Sequence, residues 1–335
     1  MKKNSEAAKP TISARSGGQG QNSQNNLWQS SFWQSKIWAC GLALVCLALT
    51  SVVQGQAYSY RIVDFPGAAL SGLDNSNSAG AMVGIYSMTP NCCLSTGFAL
   101  SNGVFRVISY PGALGTEPNG INKSQTIVGD YVDGANLQHA FELQGMVYRN
   151  VDYPGAVQST ADDINDNALI VGAYNDGSHW HGYTLSGGKF TSFDYPGAAN
   201  TLPAAVNKNG EIAGYYYQDD HISHGFVDTK GTFTDIDYPG ASSTVVLGVN
   251  SSAEVSGSYT DGGGTNHGFA LTSGAYTSLD FPGAIYTFVQ GLNDSGEILG
   301  LVVTDFSDTA QGFVASPIPA GGSRSGGPAA GRRIK

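Results

Sequence analysis

The sequence predicts an all-β fold, a six-bladed β-propeller of four-stranded antiparallel blades whose ring is closed by the N-terminal strand. The first observation behind this is a motif that recurs six times: Phe65-Pro66-Gly67-Ala68, Tyr110-Pro111-Gly112-Ala113, Tyr153-Pro154-Gly155-Ala156, Tyr195-Pro196-Gly197-Ala198, Tyr238-Pro239-Gly240-Ala241 and Phe281-Pro282-Gly283-Ala284. Its prolines are 42 to 45 residues apart, and a fixed period of that size marks a repeat architecture. The second is composition. Forty-six glycines and seventeen tyrosines, with little helical patterning, describe many short strands joined by turns.

Each motif reads as a strand entering a tight turn. The residue before proline is pushed towards extended conformations. Proline presets the first central position of a type II turn, and Gly67, Gly112, Gly155, Gly197, Gly240 and Gly283 supply the positive φ at the second. Five copies carry an aspartate before the aromatic residue (Asp64, Asp152, Asp194, Asp237, Asp280), and Ser109 replaces it in the remaining one.

Taking the fourth copy as the pattern, strand a is Lys189–Tyr195 and strand b is Leu202–Val206. Between them stands a Ser or Thr at a fixed offset (Ser71, Thr116, Ser159, Thr201, Thr244, Thr287). Strand b ends on an asparagine eleven residues past the proline: Asn77, Asn122, Asn165, Asn207, Asn250 and Asn293. Such asparagines close turns on their own backbone. Strand c, residues 211–216, carries a recurring glycine (Gly84, Gly129, Gly172, Gly214, Gly257, Gly300), which inside a strand implies a close neighbour. Strand d is His224–Val227. Four such strands make an antiparallel meander, and six meanders in a ring leave only short edges exposed. The chain enters with a strand a at residues 59–65 and leaves with a strand d at 312–315, so blades built b-c-d-a let the first strand complete the last blade.

His139-Ala140-Phe141, His181-Gly182-Tyr183, His224-Gly225-Phe226 and His267-Gly268-Phe269, with the surrounding Asn-x-x-Gly-x-Ile-x-Gly-x-Tyr pattern, resemble the HAF-type extracellular repeat of bacterial secreted proteins. The resemblance covers residues 58–316, and Thr96-Gly97-Phe98 and Gln311-Gly312-Phe313 depart from it in the first and last copies. It implies export and a propeller-like fold, and no particular reaction.

Export is also expected from residues 1–57. An apolar run from Ile37 to Val53 follows Lys2, Lys3, Lys9, Arg15 and Lys36 and precedes Gly55-Gln56-Ala57, which suits signal cleavage. The polar leader of some 36 residues is long for a signal, which an upstream start codon chosen in error or an uncleaved membrane anchor would explain, and either one places the repeats outside the cell. Residues 58–320 hold 7 Lys and Arg against 25 Asp and Glu, which excludes nucleic acid as a partner. Extracellular carbohydrate or protein fits this surface, and a monomer is expected. Residues 317–335, rich in Gly, Ser and Arg, are expected to be disordered and outside the fold. Cys92 and Cys93 are adjacent, and two cysteines make no disulfide framework, so their state stays open.

Residues common to all blades solve a folding problem, so His139, His181, His224 and His267 are expected to bond within or between blades rather than gather round a metal. Function is sought in the c–d loops, where the copies differ. On the face these loops share with the Pro-Gly-Ala turns, the third and fourth blades supply His179, Trp180, Tyr217, Asp219, Asp220 and His221. Aromatic rings beside carboxylates suit a sugar; two histidines with two acids would hold a divalent metal if they converged. Asp163-x-Asn165-x-Asn167 is a fragment of a calcium loop without its glycine and closing acid. No Gly-x-Ser-x-Gly, phosphate-binding glycine loop or His-Glu-x-x-His is present. The expectation is a non-catalytic binding propeller without a cofactor, the alternative a polysaccharide hydrolase or lyase on the same scaffold.

Overall fold

The first strand, β1 (Tyr58–Ile62), lies antiparallel beside the last, β25 (Gln311–Pro317), pairing Tyr60 with Ala315. The computed structural model describes residues 57–90, 94–305 and 309–319. The expected signal or anchor, Cys92 and Cys93, and all of the tail beyond residue 319 lie outside these.

Between the two ends run five complete blades. The first is β2 (Leu70–Ser76), β3 (Met82–Ser87), β4 (Thr96–Ser101) and β5 (Val104–Ile108). The second is β6 (Gly115–Ile121), β7 (Thr126–Val132), β8 (Gln138–Gln144) and β9 (Val147–Asn150). In the third the inner strand is split into β10 (Gln158–Ser159) and β11 (Asp163–Ile164), followed by β12 (Ile170–Asn175), β13 (Trp180–Ser186) and β14 (Lys189–Phe193). The fourth is β15 (Asn200–Val206), β16 (Ile212–Tyr217), β17 (Ser223–Thr229) and β18 (Thr232–Ile236). The fifth is β19 (Ser243–Val249), β20 (Val255–Thr260), β21 (Asn266–Thr272) and β22 (Ala275–Leu279). The sixth joins β23 (Tyr286–Leu292), β24 (Ile298–Val303) and β25 to β1. This is the six-bladed, four-stranded propeller with the b-c-d-a order and N-terminal closure that the repeats predict, and no helix occurs among the described residues.

Each recurring residue has a visible task. The motif glycines have φ between +80° and +84°, as the type II turn requires. The fixed-offset Ser or Thr accepts the N–H of the motif aromatic, as Thr201 Oγ1 does from Tyr195 at 3.0 Å and Ser71 Oγ from Phe65 at 2.8 Å. The strand-c glycines face a bulge in strand b. At Gly214 a Cβ would run into the carbonyl of Leu202, and at Gly129 into that of Glu117. Register slips beside those carbonyls in five blades, between Pro203 and Ala205 in the fourth, so the tight neighbour is the bulged backbone itself.

The core sits between blades. Phe98, Phe141, Tyr183, Phe226, Phe269 and Phe313, one from each strand d, are fully buried. The motif aromatic then stacks on the strand-c tyrosine: Tyr110 on Tyr131 at 3.6 Å, Tyr195 on Tyr216 at 3.7 Å, Tyr238 on Tyr259 at 3.7 Å between ring centroids. In the second blade Ile108 and Val83 of its neighbour close the same cluster. Burying each such aromatic side chain stabilises by roughly 2–3 kcal/mol.

Candidate functional site

Alternating strand direction puts the c–d loops and the Pro-Gly-Ala turns on one face. Hydrogen bonds tie them together there: Val157 N donates to Asn175 O and Leu114 N to Val132 O, each over 2.8 Å. The candidate residues lie on this face. His179, Asp219, Asp220 and His221 are exposed, while Trp180 and Tyr217 are half-buried.

The two loops are built differently. In the third blade Asp176 Oδ1 accepts the N–H groups of Ser178 and His179, at 2.7 and 2.9 Å, so an Asx turn fixes the loop before Trp180. These backbone bonds, ahead of the opposing effect of burial, hold the Asp176 carboxyl below the usual carboxylate range. In the fourth blade Gln218 reaches back to the Pro-Gly-Ala turn, donating to Gly197 O at 2.9 Å and accepting from Ala199 N at 3.2 Å. His221 then takes a left-handed φ of 61°, and its ring lies 6.0 Å from that of Tyr217.

One residue joins the two loops. Trp180 N donates to Asn200 Oδ1 at 3.0 Å, and Asn200 is the direct cross-strand partner of Tyr217. The only tryptophan after residue 38 and the tyrosine ending β16 thus flank a buried asparagine at the seam between the third and fourth blades. Burial pushes the Tyr217 hydroxyl up.

The metal readings find no geometry. Among the described residues no three His, Cys, Asp or Glu side chains lie close enough to share an ion. In the calcium-like fragment the oxygens are engaged: Asp163 accepts from Asn75 Nδ2, Ile164 N and Val206 N, and Asn165 Oδ1 accepts the N–H groups of its own turn.

The repeat histidines each face a carboxylate of their own blade. His139 Nδ1 is 2.8 Å from Asp152, His181 Nδ1 3.1 Å from Asp194, His224 Nδ1 2.8 Å from Asp237, and His267 Nδ1 2.9 Å from Asp280. In the last blade Gln311 Nε2 donates to Asp64 at 2.9 Å instead. The first blade has Thr96 and Ser109, so the histidine and its aspartate disappear together. That paired loss, at a constant separation of 13 residues in the other copies, was the sequence signal for this contact.

Two features were missed in the sequence. The repeat asparagines form a ring: Nδ2 of Asn77, Asn122, Asn165, Asn207 and Asn250 each donates to the carbonyl of the next, over 2.9–3.4 Å. Asn293 closes it on Ser76 Oγ at 3.0 Å. The ring surrounds a cavity of about 70 Å³ on the face opposite the loops, with walls from all six blades.

The second is a group of interior acids. Glu117 and Asp130 are direct cross-strand partners. Burial, then the charges of Asp130 and Asp74, raises Glu117 to about 8. Burial, followed by Asp130 and Asp163 and against a hydrogen bond from Thr160, raises Asp162 to about 8. In other blades the pair equivalent to Glu117 and Asp130 is Leu202 with Tyr215, Val245 with Ser258, or Phe288 with Leu301. Aligning the repeats on their prolines would have shown Glu117 and Asp130 as acids at two positions that carry none in the other five copies, whereas the Asp162 position is also polar at Asp74, Asn119 and Gln290.

No family model matches the chain, and no curated protein does. Solved structures with a similar chain course include TolB from Acinetobacter baumannii, at 8% identity and a TM-score of 0.49 over 62% of this chain. This chain spans only 54% of that TolB. Virginiamycin B lyase from Staphylococcus aureus matches at 10% identity and a TM-score of 0.46, over 78% of this chain and 100% of its own. The Aleuria aurantia lectin matches at 12% and 0.44, over 75% and 97%. At such distances function rests on this chain's own residues.

Proposed function

We propose that this protein is an exported, non-catalytic propeller that binds extracellular carbohydrate at the seam between its third and fourth blades. The observation that carries this reading is that the half-buried Trp180 and Tyr217 meet at Asn200, Trp180 through its backbone N–H and Tyr217 as the cross-strand partner. Half-buried aromatic rings offer apolar faces to a sugar ring, and neighbouring polar groups bond its hydroxyls. Here Asp219, Asp220 and His221 stand exposed beside them. The leader supports export, through its basic residues and the apolar run Ile37 to Val53.

A glycan array with the purified protein, run beside a turnover assay on the polysaccharides it retains, tests the reading. Binding without turnover is expected. Turnover that is lost in Asp219→Ala or His221→Ala would establish the hydrolase or lyase instead.

A further inference from the structure

In three blades the repeat histidine has a second carboxylate. His139 Nε2 lies 3.4 Å from Asp133, His181 Nε2 3.5 Å from Asp176, and His267 Nε2 3.6 Å from Asp261. Each of these aspartates starts a c–d loop and organises it. Asp133 Oδ1 accepts from Ala135 N and Leu137 N, and Asp261 Oδ1 from Gly263 N and Thr265 N, all within 2.8–2.9 Å. Oδ2, the other oxygen, faces the imidazole.

An ionised carboxylate only accepts hydrogen bonds, and a neutral imidazole has one N–H to give. A ring with a carboxylate on each nitrogen satisfies both only as the imidazolium, with two N–H groups. The loop aspartates are ionised, because backbone N–H groups hold Asp133, Asp176 and Asp261 below the usual range. We propose that His139, His181 and His267 are proton-dependent clamps, which fasten the c–d loops of the second, third and fifth blades while the imidazole is charged and release them when it loses a proton.

The other blades act as internal controls. The fourth has His224 and Asp237 but Gln218 where the loop aspartate would stand, and Gln218 bonds the Pro-Gly-Ala turn instead. The sixth has Thr304 at the equivalent loop position, and in place of the histidine it has Gln311, which cannot titrate and serves Asp64. At the position 22 residues past the motif proline, aspartate occurs in the second, third and fifth blades, all of which carry the strand-d histidine.

The groups facing each ring are few. His139 meets Asp152 and Asp133, with Tyr131 stacked on it at 5.2 Å and Asn150 bonded to Asp152. His181 meets Asp194, Asp176 and Tyr174, at 5.1 Å from that ring, and Tyr174 in turn bonds Ser192. His267 meets Asp280, Asp261 and Tyr259, with Tyr60 of the next blade near Asp280. No Lys or Arg pairs with these carboxylates among the described residues. Burial lowers the His139 pKa, but Asp152 and Asp133 outweigh it and leave it raised. At His139, with the folded value above the unfolded one, the second-blade clamp is complete below the ordinary histidine range and is lost as pH rises through the raised value.

The test is amide hydrogen exchange of the full chain, corrected for intrinsic rates, from about pH 5.5 to about pH 8.5, with no ligand present. Protection at Leu137, His179 and Thr265 is expected to fall about tenfold across that range, while the 218–222 loop stays level. His139→Gln, which copies the natural Gln311, is expected to make the second-blade loop pH-independent without changing the other two. Asp133→Asn keeps an oxygen for the Asx turn and is expected to lower the His139 pKa by NMR. Level protection in all loops, or a pH response that survives in His139→Gln, would overturn the clamp. Because sugar binding is not measured, either result leaves the carbohydrate reading to its own test.

Discussion

Asn293 donates from Nδ2 to Ser76 Oγ at 3.0 Å, joining the last blade to the first across 217 residues of sequence. With the pairing of β1 on β25, it gives the wheel a second closure, at the axis rather than the rim. The sixth link differs from the other five because the acceptor is a hydroxyl rather than the Asn77 carbonyl.

The asparagine ring predicts a large effect from a small change. Asn207 is buried, and its Oδ1 holds Asn209 N and Glu211 N while its Nδ2 donates to Asn250 O. Asn207→Ala leaves those groups without partners and should lower stability by roughly 2–4 kcal/mol in denaturant unfolding. Asn209→Ala, at the exposed neighbour, should cost less than about 1 kcal/mol.

Closure at the rim predicts the effect of Tyr60→Ala. Tyr60 packs edge-on against Phe281 at 5.3 Å and tilts on Phe313 at 6.1 Å. Its loss should cost about 2–3 kcal/mol, less than a fully buried aromatic because the ring is half-buried. Thermal unfolding followed by circular dichroism would show the shift.

Two glycines of one blade should respond differently to alanine. At Gly197 the φ of +80° is disfavoured but nothing lies within 4 Å, so the cost should be about 1 kcal/mol. At Gly214 the new methyl would meet the Leu202 carbonyl and the Pro203 backbone, and the cost should exceed about 3 kcal/mol.

The interior acids predict a pH dependence. Glu117 rises from an ordinary 4.5 to about 8, so between those values the folded chain holds more protons than the unfolded one. Stability should therefore fall as pH rises from 4.5 towards 8. Glu117→Gln should flatten this slope and stabilise the protein at pH 8 by on the order of 1–3 kcal/mol. Urea midpoints of both proteins at several pH values would measure it.

The architecture was legible because each blade repeats its turns: six Pro-Gly-Ala glycines and six asparagines leave one periodic solution. The tight approach at the strand-c glycines was also legible, although the bulge that causes it was not, since register leaves no trace in side-chain pattern. In the sequence Asn207 closes its own turn, and in the structure it does so, but its second role crosses 43 residues to Asn250. The loop residues of the third and fourth blades were found as departures from the repeat. Their link through Asn200 could not be read, because Asn200 looks like an ordinary first residue of β15.

The most direct test of the binding seam is glycan-array binding by the wild type and by Trp180→Ala with Tyr217→Ala. The account predicts sugar binding by the wild type, at least tenfold weaker binding by the double variant, a cost of about 1.4 kcal/mol or more, and an unfolding midpoint that stays high enough for the variant to be folded. Wild-type binding that survives the double substitution undiminished, with the variant folded, would contradict it.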